Sequence, residues 1–297
     1  MKLTEWTAFW ALGLIWGSSF LWIKIAVGYL APLTVAALRL SIGLVGLLAV
    51  AVGRRQPFPR DRASLGAYVT LGTLQSAIPF ALIAWGETKI GSGLAAILNG
   101  TMPLFTIVIA HLWLHDEKIT PQRTAGLFAG FAGVVVLGSR DLGPHGLKES
   151  AWGQAALLGA TISYAVAATY ARGRLRGAPP LVQATLVVLM GNALLWAAAA
   201  AAEQPLHLAG PPIVWVSLAW LGLLGSCVAY LLYFYLINTW GATRASLVTY
   251  VFPVVGLVLG LLVLGEPADS RLWLGSLLVI AGILVAGRRS ATATSRA

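Results

Sequence analysis

The sequence predicts an all-α integral membrane protein of ten transmembrane helices, arranged as two inverted five-helix repeats. Three observations carry that prediction: ten long apolar stretches with few or no charges, positive charges gathered in short connections, and a likeness between the two halves of the 297-residue chain. Ala63 to Gly86, Leu181 to Ala202, Trp215 to Ala242 and Ala245 to Gly265 contain no Asp, Glu, Lys or Arg. Each reaches the roughly 20 residues a helix needs to cross about 30 Å of hydrocarbon.

The first span, 6 to 27, follows Lys2; its apolar part is too long for a cleaved leader, and no small-residue cleavage site precedes the next loop. The second, 33 to 53, runs into Arg54 and Arg55, and the third, 64 to 85, lies between Arg62 and Lys89. The fourth, 92 to 114, ends before Lys118; the fifth, 122 to 139, is bounded by Arg140. The sixth, 152 to 171, stands between Lys148 and Arg172, and the seventh, 181 to 202, and eighth, 213 to 237, follow. The ninth, 243 to 264, begins beside Arg244, and the tenth, 271 to 287, runs from Arg271 to Arg288 and Arg289. Most Lys and Arg then fall on one side, which the positive-inside rule makes cytoplasmic, with both termini there. The expected location is the inner, cytoplasmic membrane.

Hydrophobic residues are 58% and charged residues 10% of the chain, against roughly 25% charged in soluble domains, which excludes a soluble enzyme. The formal charge of +10 reads as orientation signal rather than a nucleic-acid surface, because the basic residues sit in short loops. Cys227 lies alone inside an apolar span and is expected to serve packing.

At a shift of 148, Trp16 falls on Tyr164, Lys24 on Arg172 and Pro32 on Pro180; at 150, Phe80 falls on Tyr230, Gly91 on Gly241, Ala95 on Ala245 and Pro103 on Pro253. At 149, Glu117 falls on Glu266, Gly126 on Gly275 and Gly133 on Gly282. The repeats are expected at 1–145 and 146–290, with a cytoplasmic tail at 291–297. An odd number of spans per repeat makes the second copy enter the membrane from the opposite side, and such symmetry suits alternating access around a site near the bilayer midplane.

The run Leu14 to Phe20 (Leu-Ile-Trp-Gly-Ser-Ser-Phe), then Lys24, Pro32 and Ala37-Leu38-Arg39, resembles the opening of an EamA-type protein of the drug/metabolite transporter superfamily. Each half also closes in that manner: Gly91 to Pro103, Asp116-Glu117, Gly126 and Gly133 in one, Gly241 to Pro253, Gly265-Glu266, Gly275 and Gly282 in the other. The resemblance covers essentially the whole chain and implies ten helices, two inverted repeats and export of small metabolites, often amino acids. Among the superfamily's members the chain is similar to the bacterial aromatic amino acid exporters of the YddG type.

Pro103 and Pro253 each remove a hydrogen bond in mid-span and, as repeat mates beside Gly100 and Gly256, are expected to form hinges. The plainer alternative is that Gly256 and Gly260 form a packing seam. Polar groups at membrane depth turn inward, so Ser19, Gln75, Ser76, Asn99, Thr101, Ser163, Ser226 and Thr249 are candidates to meet substrate, although Ser and Thr often bond their own helix carbonyls. Trp16, Pro79, Phe80, Tyr164, Tyr230 and Tyr250 would suit an apolar or aromatic body. Ser18 is a candidate to meet substrate on the same grounds as Ser19, whereas Trp6, Trp85, Trp113, Trp215, Trp240 and Trp273 are read as an interfacial belt.

Arg39 is expected to snorkel to the outer interface as a structural charge, with attraction of a substrate carboxylate the alternative. Glu117 and Glu266 are expected to brace loops. His111 and His115, near Asp116 and Glu117, have a spacing that suits a metal, but at a helix end they are not read as a site, and no metal or cofactor is expected. With no Asp or Glu in the central membrane, transport is expected to be facilitative rather than proton-coupled. No nucleotide-binding loop is present. An embedded enzyme would gather nucleophile, base or carboxylates at one depth, and none is gathered, so no catalytic residues are expected. A lipid-binding or structural protein would not need matched mid-span prolines. The expected partners are a small-molecule substrate and the lipid bilayer, without nucleic acid or an obligatory protein partner; exporters of other metabolites or drugs remain the alternative.

Overall fold

The computed structural model describes residues 3–113, 119–138, 147–174, 178–203, 208–240, 245–267 and 269–287. Glu117, with His115, Asp116, Lys118, Gly241, Arg244, the expected repeat boundary at 145 and the tail 291–297, lies outside them. The described residues are helical, without strands. In chain order the rods are α1 (Leu3–Val27), α2 (Pro32–Gly53), α3 (Arg62–Glu87), α4 (Ser92–Trp113), α5 (Pro121–Gly138), α6 (Leu147–Arg174), α7 (Pro180–Ala202), α8 (Pro212–Ile237, continuing to Trp240), α9 (Ser246–Tyr250 leading into Val251–Val263) and α10 (Ser270–Gly287). Six of these, α1 to α4, α7 and α8, are long and apolar enough to cross a bilayer, and shorter apolar helices occupy Val248–Val263 and Ser270–Val285. Large apolar side chains point outward, with Phe128 75% and Leu262 81% exposed, as a protein solvated by lipid requires.

Polar side chains from one rod close the open ends of another. Glu266 accepts from the Ser92 and Gly93 backbone N–H groups at 2.5 and 3.0 Å, and from the Ser92 hydroxyl, at the start of α4. Glu203, just after α7, accepts likewise from Leu33 and Thr34 N at 2.9 and 2.8 Å at the start of α2. A carboxylate at a helix N-terminus satisfies donors that have no partner within the helix and meets the positive end of the dipole. Lys24 reaches from α1 to donate to the Glu87 and Ile90 carbonyls that end α3. Gly265 adopts φ 64° after α9, a conformation natural to glycine, and the turn brings Glu266 N onto the Gly260 carbonyl at 3.0 Å. In the loop before α3, Asp61 accepts from Ser64 N at 2.8 Å, and this backbone hydrogen bond holds its carboxyl below the usual range.

Three irregularities were not expected from periodicity. Residues Thr73–Ala77 of α3 and Trp220–Val228 of α8 are π-helical, and α4 breaks between Asn99 and Met102. A π segment frees carbonyls from the regular ladder and concentrates at functional positions. Trp16 Nε1 donates to the Gly225 carbonyl of the second at 2.9 Å, and Ser163 donates to the Leu74 carbonyl of the first at 2.8 Å.

Close packing runs through glycines, and it comes in exchanged pairs. A Cβ placed on Gly43 of α2 would stand 2.6 Å from the Ser226 Cβ and 3.0 Å from the Gly222 carbonyl of α8. One on Gly191 of α7 would stand 2.5 Å from the Ser76 Cβ and 3.0 Å from the Gly72 carbonyl of α3. Between α5 and α10, a Cβ on Gly133 would meet the Gly275 carbonyl at 2.7 Å, and one on Gly282 the Gly126 carbonyl at 2.6 Å. Every residue in the second contact of each pair stands about 150 residues along the chain from one in the first.

Candidate functional site

Midway along the rods lies a cavity of about 70 Å³, several times the 10–15 Å³ or so that one water needs. α1 contributes Trp16, Ser19, Phe20 and Ile23; α2, Arg39; α3, Gln75, Phe80 and Ile83; and α4, Asn99 and Met102. From the second half come Tyr164 of α6, Tyr230 and Tyr233 of α8, and Thr249 and Phe252 of α9. The two π segments and the break in α4 all fall at this level of the chain.

Of the residues expected to meet substrate, Trp16, Ser19, Gln75, Phe80, Asn99, Thr249, Tyr164 and Tyr230 line the cavity. The others do not. Ser76 pairs with the Tyr230 hydroxyl at 3.0 Å, and Thr101 donates to its own helix at Leu98 O, 2.6 Å. Ser163 is engaged by Leu74 O, and Ser226 donates to Leu221 O at 3.0 Å. Tyr250 turns away to donate to Ile283 O at 3.3 Å, in a separate small recess that includes Pro253. Pro79 is buried beside the cavity without lining it. Phe20, Ile23, Ile83, Met102, Tyr233 and Phe252 line it without having been singled out. They are apolar or aromatic like the rest of their spans, and nothing in the sequence marks which face of the helix they occupy.

The rings form one connected wall. Trp16 stands 6.0 Å from Tyr230, 5.2 Å from Tyr233 and 6.1 Å from Phe252 between ring centroids, separations at which edge-to-face contacts stabilise. The Tyr230 hydroxyl also reaches Gln75 O at 3.3 Å. Gly100 and Pro253 touch across the break in α4: a Cβ on Gly100 would stand 2.7 Å from Pro253 Cγ. Gly256 packs on α4 as well, 2.2 Å being all that would separate its Cβ from that of Ala96.

Two expectations are corrected. Arg39 does not snorkel: it is 5% exposed, donates from Nε to Ser226 Oγ at 3.3 Å, and lies 4.2 Å from the Phe80 ring centre. Depth along a helix does not decide direction, and this face of α2 packs on the π segment of α8 rather than on lipid. The sequence also disperses the carboxylates over the two membrane surfaces, and one of them is instead enclosed by protein. Glu87, at the end of α3, is 0% exposed, and neither carboxylate oxygen has a hydrogen-bond partner. Glu87 lies outside the cavity lining, and Arg39 is the charged residue within it.

A helical bundle with large apolar side chains turned outward around a central recess defines a multi-pass membrane protein. The chain belongs to the EamA-like transporter family, which matches it twice, at residues 5–139 and 151–288. It is 29% identical over 280 residues to the uncharacterized inner membrane transporter YedA of Escherichia coli K12, covering 94% of this chain and 89% of that one. It is 27% identical over 279 residues to the uncharacterized transporter YoaV of Bacillus subtilis, covering 92% of each. A protein of known crystal structure superposes with a TM-score of 0.67 over 96% of this chain and 97% of its own, at 21% identity, a likeness of fold alone.

Proposed function

We propose that this transporter has ten spans in two inverted repeats and works by alternating access at the central cavity, exporting amino acids with aromatic or other apolar side chains across the inner membrane, with both termini in the cytoplasm. The observation that carries this reading is the cavity, walled at mid-height by rods from both halves. The exchanged glycine contacts support a two-fold relation, since a two-fold operation returns each contact with its partners swapped. The double family match supports the duplication, and five spans per copy supply the inversion. The aromatic wall favours that substrate group. Transport is facilitative on this reading, because no carboxylate among the described residues lines the cavity.

Purified protein in liposomes preloaded with one unlabelled amino acid tests it. Labelled phenylalanine, tryptophan or leucine should accumulate by counterflow, and collapse of the proton gradient should leave that accumulation intact. Counterflow that disappears with the gradient would refute the facilitative mode; counterflow with no amino acid at all would refute the substrate group.

A further inference from the structure

Arg39 is buried without the company a buried guanidinium requires. A guanidinium keeps its proton in proteins, and a charge taken from water destabilises a fold unless an opposite charge and hydrogen bonds compensate it. Its one hydrogen bond is from Nε to Ser226 Oγ at 3.3 Å. Among the described residues no carboxylate oxygen lies within 4.0 Å of it. Glu87 acts on it only from a greater distance and does not line the cavity. The Phe80 face supplies a cation–π contact, worth far less than a counter-ion. Nη2 stands where a side chain on residue 225 would crowd it, a Cβ on Gly225 falling 3.2 Å away. The Nη donors are therefore left open on the cavity. In the same recess Asn99 Oδ1 is buried with no hydrogen-bond partner.

We propose that the missing counter-ion is the transported molecule: Arg39 anchors a carboxylate, and the substrate class is monocarboxylates with an apolar or aromatic body. Planar donors in a fixed fork match a carboxylate's two oxygens. A phosphate would bring more negative charge than one guanidinium balances. The body lies against Trp16, Tyr233 and Phe252, and Asn99 Oδ1 accepts one N–H or O–H from the ligand. Among the described residues no acid lines the cavity to pair with an ammonium, so an α-amino group is tolerated rather than required. This rests on the cavity being the transport site and narrows the amino acid reading to the group actually recognised.

Three probes that share a phenyl ring separate the possibilities: L-phenylalanine, 3-phenylpropionate, which lacks the amine, and phenethylamine, which lacks the carboxylate. Binding is read by quenching of tryptophan fluorescence and by the melting temperature of the purified protein; transport is read separately by counterflow. Both carboxylates should bind within about tenfold of one another and raise the melting temperature, and phenethylamine should do neither. Arg39→Gln should weaken both carboxylates on the order of thirtyfold, Arg39→Lys should restore part of the affinity, and ligand-free Arg39→Gln should melt no lower than the natural protein. Phenethylamine binding as tightly as 3-phenylpropionate, unchanged carboxylate affinity in Arg39→Gln, or no response to either carboxylate would overturn the assignment. Carboxylate binding that depends on Arg39 without counterflow would uphold Arg39 as the carboxylate anchor but refute the claim that the anchored molecule is transported.

Discussion

Single side chains hold this bundle together at the ends of its rods. Glu266 gathers three donors at the start of α4, and no other described acceptor is given to them. Glu266→Ala should therefore lose at least the 1–2 kcal/mol or so of an N-terminal cap, seen as a lower melting temperature in detergent, with Glu266→Gln intermediate because its amide oxygen still accepts. Glu266 was expected to brace a neighbouring loop because it matches Glu117 across the two halves, and its place is the start of α4; Glu203, which caps α2, was not singled out. Arg39 shows why direction was harder to read than depth. Its span is apolar all round, so no amphipathic stripe told one face from another, and only the neighbouring π segment decides that it turns inward. The hydroxyls missed for the opposite reason: Ser163, Ser226 and Thr101 have carbonyls close by and take them, as short polar side chains on helices do.

Along whole rods, apolarity alone placed the boundaries to within a few residues, because the bilayer's thickness sets a minimum length that any spanning helix must meet. What it could not place were the π segments and the break in α4, since a one-residue change of register leaves composition untouched. The prolines gave partial warning, with Pro103 just past the break and Pro253 against Gly100. If the break and its contact act as a gate, Pro253→Ala should slow counterflow several-fold while leaving ligand affinity nearly unchanged, and equal loss of both would argue against the hinge. The seam of α5 and α10 makes a separate prediction. Gly282→Ala would set a Cβ 2.4 Å from Gly130 N, a backbone atom that has no rotamer to yield, so it should cost about 1–3 kcal/mol or more in stability, measured by thermal unfolding.

At the scale of the molecule, two glycine contacts made from the first half, those of Gly43 and Gly133, reappear at Gly191 and Gly282 with the roles of the partners interchanged. On the proposed alternating-access reading two arrangements must lie close in energy, and matched contacts of this kind would help to keep them so. This much was visible as a shift of about 150 residues in the sequence; which residues touch across the shift was not, because glycine contacts depend on how rods are rotated.

The glycine pairs thus give the protein a built-in duplicate experiment. Gly43→Ala and Gly191→Ala insert the same methyl against Ser226 and Ser76, the corresponding residues of α8 and α3. If the carrier works by alternating access as proposed, equal drops in melting temperature would mean a balanced resting conformation, and unequal drops would gauge how strongly it leans toward one side of the membrane.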